Sequence, residues 1–253
     1  MSLLMGHPWD NTKKFAKKYS VHLGILLLLL LGFIHRKKLG KDRLEAKESV
    51  SEGGKKTQTV LLNKNLYGKS IEEKRRYLLN NFDMDCLIGD SGAKITIVDH
   101  SSFNCKYCKK IRPEIRKIIQ EYVIDKKVAR YALRPLYGVK NLPIGAFLQC
   151  SRPEDRLKIA EELFGQDVSS VDNFTQFLTE LGKKYGMDEE YVKECIHNED
   201  LYRKIIYMQQ NSREAFNINV TPLLVINNQE KIGYKSYEQI RDIIEGFLME
   251  EQR

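Results

Sequence analysis

VDHSSFNCKYCKK, residues 98–110, is the stretch of sequence that decides the fold. It holds two cysteines, Cys105 and Cys108, separated by two residues. The β-branched run KITIVD at residues 94–99 predicts a buried strand, and apolar residues recur at helical spacing from Lys106 onward. We therefore expect the cysteine pair at the turn between a strand and a helix.

The pattern continues beyond this turn. VARYAL at residues 128–133 predicts a second strand, so strand, helix and strand together indicate a parallel crossover unit. Residues 134–219 are mainly helical in pattern, PLLVI at residues 222–226 predicts a third strand, and a fourth is expected to begin at Ile232. A final amphipathic helix follows. This order predicts an α/β, thioredoxin-like fold with an inserted helical domain.

The spacing of Cys105 and Cys108 suits either metal binding or dithiol redox chemistry. A structural zinc site needs a second pair of ligands, but the other three cysteines are isolated and no histidine stands at matching spacing. A helix N-terminus supplies free N–H groups and partial positive charge, which favour a thiolate. We predict that Cys105 is the attacking thiolate and Cys108 the resolving thiol, without a metal. Positive charge is expected from Lys106, Lys109 and Lys110.

This motif, with Val220-Thr221-Pro222 far downstream, resembles the DsbA-type thiol:disulfide oxidoreductases. These are bacterial envelope proteins of the thioredoxin superfamily, and the resemblance covers roughly residues 87–249. It implies that Pro222 is a cis-proline beside the dithiol and that Thr221 offers its backbone to an extended substrate. It also implies that Asp99 is a buried acid that assists proton transfer, the alternative being a carboxylate that faces solvent.

Lys106 and Tyr107 stand where the best-known oxidases of this type carry Pro-His. A tyrosine before the second cysteine, with a threonine before the proline, is also similar to the DsbC/DsbG isomerases and to some envelope reductases. Tyr107 is accordingly placed among the substrate-binding residues. The resemblance leaves the direction of electron flow open between an oxidase and an isomerase or reductase kept reduced.

The remaining cysteines and a histidine invite separate interpretations. Cys150 and Cys195 both fall in the helical insertion, where they form either a structural disulfide, which requires an oxidising compartment, or two buried small residues. Cys86 is expected to be a lone thiol just before the first strand. His100 is expected to be a polar loop residue, with a tuning role at the active site as the alternative.

The formal net charge of +8 is typical of a nucleic-acid-binding protein, but it is unevenly distributed. Residues 1–60 carry 12 Lys+Arg and 5 Asp+Glu, whereas residues 61–253 carry 30 and 29. The folded domain is therefore close to neutral, and a general polyanion-binding surface is unsupported.

Residues 21–34 (VHLGILLLLLLGFI) contain no formal charge and lie between basic clusters. As a helix they would span roughly 21 Å, less than a hydrocarbon core of ~30 Å, although snorkelling lysines close part of the gap. No small-residue cleavage site follows, so an uncleaved anchor is favoured over a signal peptide. The basic residues after this segment, counted by the positive-inside rule, favour a cytoplasmic domain instead of a periplasmic one.

The predicted organisation is a basic segment at residues 1–20, a transmembrane anchor at 21–34, a tether with a short helix at 35–85, and a thioredoxin-like domain at 86–253. We expect a thiol:disulfide oxidoreductase tethered to the inner membrane and facing the periplasm of a Gram-negative-type bacterium. Its dithiol would need no cofactor, its substrates would be protein thiols and disulfides, and a membrane redox partner would reset it. The alternative of another class is a non-catalytic, membrane-anchored binding module with a structural CxxC.

Overall fold

The computed structural model describes residues 66–250. The predicted basic segment, the transmembrane anchor and the tether as far as residue 65 lie outside these residues. None of the helices that the structure describes combines the length and the apolar character needed to cross a membrane.

Five strands form one mixed sheet in the described part of the chain. They are β1 (Cys86–Ile88), β2 (Ile95–His100), β3 (Ala129–Leu133), β4 (Leu223–Ile226) and β5 (Gln229–Ile232). Their order across the sheet is β1-β3-β2-β4-β5. The central pair β2 and β3 is parallel, as the predicted crossover requires, and the other neighbouring pairs are antiparallel.

The helices lie before, between and after these strands. They are α1 (Ile71–Leu78), α2 (Lys106–Ile118), α3 (Leu142–Cys150), α4 (Pro153–Phe164), α5 (Phe174–Lys184), α6 (Glu189–Ile196), α7 (Glu199–Phe216) and α8 (Tyr237–Glu250). The chain of α2 continues as a π-helical segment, Ile119–Asp125. Helices α3 to α7 all lie between β3 and β4.

Two of the strand predictions are wrong in detail. Cys86 does not precede the first strand but begins β1, a strand too short to show a periodic pattern in the sequence. The last strand ends at Ile232 instead of beginning there. Asn227 and Asn228 both have positive φ and form a tight turn, so the chain reverses and pairs earlier than an apolar pattern indicates.

Both faces of the sheet are covered, which explains the uninterrupted apolar run of β2. Ile97 belongs to the core under α2 and α8, whereas its neighbour Val98 belongs to a second core with residues of α1 and α7. On α2, Ile111 and Ile115 are fully buried in the first core. This packing holds α2 against the sheet and fixes its first turn beyond the end of β2.

Candidate active site

Cys105 is the N-cap residue of α2, and Cys108 lies in the first turn of the helix. The backbone N–H of Cys108 donates to the Cys105 Sγ at 3.3 Å. Cys105 is half-buried, whereas Cys108 has no exposed surface. The Cys105 sulfur is therefore the one that a macromolecular substrate could reach.

The loop before β4 faces Cys105. The peptide bond between Thr221 and Pro222 is cis, and the Cys105 thiol donates to the Thr221 carbonyl oxygen at 3.3 Å. Pro222 is buried, and Val220 on the other side of Thr221 is 53% exposed. Pairing of β2 with β4 brings these distant segments together, as the resemblance implied.

The two thiols differ in acidity. Partial burial raises the pKa of Cys105, but hydrogen bonds involving Cys108, Thr221 and the backbone of Tyr107 outweigh it and hold that pKa below the ordinary value. Burial, together with the hydrogen bond to Cys105, raises the pKa of Cys108 to about 12. The arrangement suits Cys105 to nucleophilic attack and keeps Cys108 protonated until a base removes its proton.

The lysines near the motif contribute less than the sequence predicts. Lys109 Nζ donates to the Gln166 carbonyl oxygen at 2.6 Å, and Lys110 Nζ lies 4.6 Å from the centroid of the Tyr234 ring. Hydrogen bonds, not these ammonium groups, are the main cause of the lowered pKa of Cys105.

Asp99 is fully buried near the end of β2, so the interpretation of it as a solvent-facing carboxylate is wrong. Its Oδ1 accepts a hydrogen bond from the Ser101 hydroxyl at 2.5 Å. Its Oδ2 accepts from the Tyr131 hydroxyl at 2.7 Å and forms an ion pair with Arg112. The buried carboxylate is therefore surrounded by donors, as a buried charge requires.

Ser101 connects this carboxylate to the resolving thiol. A hydrogen bond with Ser101 lowers the pKa of Cys108, against the larger effect of burial. The backbone N–H of Ser102 also donates to the Cys108 Sγ, at 3.4 Å. Ser101 therefore interacts with both Cys108 and Asp99, a position suited to passing a proton from the thiol to the carboxylate.

Ser101 and Arg112 were not singled out from the sequence. Arg112 lies one helical turn after Cys108 and is only 3% exposed, on the apolar face of α2. Its position within the apolar stripe of the predicted helix is the sequence feature that indicates a buried cation. A buried cation needs a charged partner such as Asp99. No comparable pattern marked Ser101.

The other predicted residues lie in different settings. Tyr107 is 58% exposed beside the dithiol. His100 is not a loop residue: it ends β2, is fully buried, and its ring centroid lies 5.4 Å from that of Phe216. Burial lowers the pKa of His100 well below the ordinary value, so the ring is neutral.

The helical segment carries a disulfide, and Cys86 stays free. Cys150 and Cys195 are bonded, which ties the end of α3 to α6. Cys86, Cys105 and Cys108 are free thiols, and Cys86 is buried in β1. Between residues 66 and 250, the structure brings together no group of three or more side chains that could hold a metal ion.

A cysteine at a helix N-cap, facing a cis-proline directly before a neighbouring strand of a mixed sheet, defines the thioredoxin-fold class. The family model described as thioredoxin matches residues 81–246. The chain belongs to this thioredoxin family.

Several solved structures that are similar to this chain share its fold. Wolbachia pipientis α-DsbA1 superposes with a TM-score of 0.60 at 20% identity, covering 71% of this chain and 96% of that one. Oxidised BdbD from Bacillus subtilis superposes with a TM-score of 0.60 at 19% identity, covering 68% of this chain and 96% of that one. A periplasmic thioredoxin-like protein from Salmonella enterica serovar Typhimurium superposes with a TM-score of 0.58 at 22% identity. The superposition covers 72% of this chain and 99% of that one. The predicted DsbA-like, thioredoxin-type fold is confirmed.

Two curated relatives are provisionally named protein-disulfide oxidoreductases. The protein from Rickettsia bellii is 24% identical over 158 residues, which is 59% of this chain and 60% of the relative. The protein from Rickettsia conorii is 23% identical over 178 residues, or 67% and 62%. The chain thus spans about three fifths of the length of each relative.

Proposed function

We propose that this protein is a thiol:disulfide oxidoreductase that exchanges disulfides with protein thiols through Cys105 and Cys108. The observation that carries the proposal is the position of the Cys105 sulfur, reachable at the N-cap of α2 and 3.3 Å from the carbonyl oxygen of Thr221 in the cis-proline loop. The names of the Rickettsia relatives support the same activity.

The exchange proceeds in two balanced steps. The Cys105 thiolate attacks one sulfur of a substrate disulfide, an enzyme–substrate disulfide forms, and the other substrate sulfur leaves as a thiolate that takes up a proton. Cys108 then loses its proton towards Asp99 through Ser101, and its sulfur attacks Cys105. The substrate leaves reduced by two electrons, and the dithiol becomes a disulfide. The reverse sequence transfers a disulfide to the substrate.

The loop before β4 is the proposed docking place for the substrate backbone. An extended segment would pair with the backbone at exposed Val220 and half-buried Thr221, beside buried Pro222. Tyr107, exposed next to the dithiol, would contact the same segment from the other side. No cofactor beyond the dithiol enters this chemistry.

We further propose that the domain is tethered to the inner membrane through residues 21–34 and faces the periplasm, where a membrane redox partner resets the dithiol. The apolar run and the Cys150–Cys195 disulfide support this location, because disulfides persist in oxidising compartments. The basic residues that follow the run favour the opposite topology. Carbonate extraction of membranes tests the anchoring. Protease treatment of intact spheroplasts distinguishes the two orientations, because it degrades only a domain that faces the periplasm.

Activity is tested with purified protein, a peptide disulfide and reduced glutathione. The wild-type protein should accelerate the exchange, and Cys105→Ser should abolish the acceleration. Cys86→Ser is the matched control, because it removes a buried thiol remote from the dithiol motif in sequence and should leave the rate unchanged. An equal rate with Cys105→Ser would refute the proposed activity.

The direction of electron flow is tested in intact cells by trapping thiols with a reagent that shifts protein mass. A mostly oxidised Cys105–Cys108 pair identifies a donor of disulfides, whereas a mostly reduced pair identifies an isomerase or reductase. A non-catalytic binding module with a structural CxxC predicts a different result, stoichiometric zinc in the purified protein that is lost in Cys105→Ser.

A further inference from the structure

A cavity of about 370 Å³ opens beside Cys105, and polar and apolar residues line it in similar measure. Cys105, Val220 and Thr221 form one part of the wall, and Asn104, Asn219 and Arg213 contribute amide and guanidinium groups. None of the residues that line it is acidic. A substrate segment in this cavity would therefore meet amide and guanidinium donors, with one formal positive charge, beside apolar residues such as Leu136.

Arg213 has unused binding capacity. Its Nη1 donates to the Ile218 carbonyl oxygen at 3.2 Å, and within residues 66–250 it has no carboxylate partner. Its sequence neighbour Glu214 does not neutralise it, because that carboxylate forms an ion pair with Lys74 of α1. A guanidinium presents five N–H donors in a planar fork that matches a carboxylate, so most of its donors remain for a ligand.

The positive charge at this place is local. Residues 61–253 carry 30 Lys+Arg and 29 Asp+Glu, so an average patch of this domain is close to neutral. No carboxylate among the residues that line the cavity offsets the charge of Arg213. An anionic ligand is therefore favoured here without a basic domain as a whole.

We propose that this cavity selects substrate segments with a carboxylate two residues from the reacting cysteine, and that Arg213 binds this carboxylate. The spacing follows from an extended substrate, in which alternate side chains point to the same side. A cysteine directed at Cys105 then shares its side with the residues two positions before and after it. The inference rests on the proposed function, because it names the substrate class of the same site.

The test uses three homodimeric peptide disulfides that are identical except at the positions two before and two after the cysteine. These positions hold Glu, Gln or Lys. The protein carries Cys108→Ser, so that the disulfide with Cys105 accumulates and its rate of formation is read from the intact mass. Arg213→Gln and Arg213→Lys are compared in this background.

Lys204→Gln is the matched control. It removes the same charge from the same helix, α7, but lies nine residues before Arg213 and thus about half a turn away from it around the helix. Both substitutions change the net charge of the protein equally, so a general electrostatic effect would appear in both.

We expect the Glu peptide to react about fivefold faster than the Gln peptide, and the Lys peptide to be slower, as one partly exposed ion pair implies. Arg213→Gln should make the rates of the Glu and Gln peptides equal, while Arg213→Lys and Lys204→Gln should keep the preference for Glu. Salt at about 1 M should reduce it, because the Debye length falls to ~3 Å.

Equal rates for the Glu and Gln peptides, or a preference that survives Arg213→Gln, would overturn the inference and leave the proposed function intact. Failure of all three peptides to react would overturn the proposed function itself, and the inference with it.

Discussion

At the residue scale, the chemistry depends on two thiols whose pKa values are moved in opposite directions. Cys105 gains hydrogen bonds at the helix N-terminus, while Cys108 is buried and its pKa rises to about 12. A dithiol needs this difference, because the first thiol must attack as an anion while the second stays protonated and does not react prematurely.

Alkylation of the reduced protein at different pH values measures this difference. We expect half-maximal reactivity of Cys105 below the ordinary thiol value of about 8.5, with Cys108 and Cys86 unreactive in the native protein at that pH. Since folding lowers the pKa of Cys105, its thiolate stabilises the reduced fold above the unfolded pKa, and this contribution is lost as the pH falls through the folded value. A Cys105 that titrates at or above 8.5 would contradict the assignment.

In the proposed resolving step, the proton of Cys108 passes to Asp99 through Ser101. We expect Ser101→Ala to slow the resolving step by roughly tenfold, which is less than the loss of a general base itself would cause. The rate of the first attack should not change. Rapid quenching and mass analysis separate the two steps, since only the second removes the enzyme–substrate disulfide. Ser102→Ala is the control, because Ser102 donates to Cys108 through its backbone. Equal slowing of both steps would indicate a structural defect instead of lost proton transfer.

His100 makes the stability of the fold sensitive to acid. Burial lowers its pKa well below the ordinary value, and the charges of Arg134 and Arg213 act in the same direction. Below the unfolded pKa of about 6.5 the unfolded chain binds a proton that the native ring does not, so stability falls as the pH decreases. We expect stability to fall between pH 7.5 and pH 5, with a contribution from the neutral ring of at most about 2 kcal/mol. Urea titrations at both values check this, and His100→Leu should lose that part of the difference.

At the scale of the elements, the sequence predicts those helices and strands whose apolar residues recur at a regular spacing. The β-branched run of β2 and the apolar faces of α2 and α8 lie where their patterns indicate, because each buries one continuous surface. Strand β1 was missed because three residues give no period, and β5 was misplaced because three of its four residues are polar and none of the four is buried. Pairing with β3 and β4, not local propensity, makes these two edge segments strands.

The Cys150–Cys195 disulfide stabilises the helical segment between β3 and β4. It closes a loop with a sequence separation of 45, for which chain entropy alone gives about 4 kcal/mol of stabilisation. The free energy of unfolding of the double variant Cys150→Ala/Cys195→Ala should therefore be about 2 to 4 kcal/mol lower than that of the wild type. Urea titrations measure this difference. Its exchange activity should be unchanged at low temperature. Loss of activity in a folded double variant would instead implicate this disulfide in the chemistry.

At the scale of the whole molecule, the active site combines segments that the sequence keeps far apart. The cysteine motif and the threonine–proline pair were recognisable from residue types, and the sheet brings them into contact across a sequence separation of 116 residues. The contacts of Asp99 with Ser101, Tyr131 and Arg112 were not predictable from the sequence, and neither was the cavity lined by Arg213, because neither follows from a regular spacing of residues. They arise only when β2, α2 and the end of α7 pack together.

The most direct test of the central claim is covalent trapping on a neutral peptide disulfide. Reduced Cys108→Ser protein is mixed with the peptide, and the adduct is mapped by mass spectrometry after digestion without reductant. The dithiol assignment predicts one peptide per protein, attached to Cys105, and no adduct in Cys105→Ser. An adduct on Cys86, or the absence of any adduct from correctly folded Cys108→Ser protein, would contradict it.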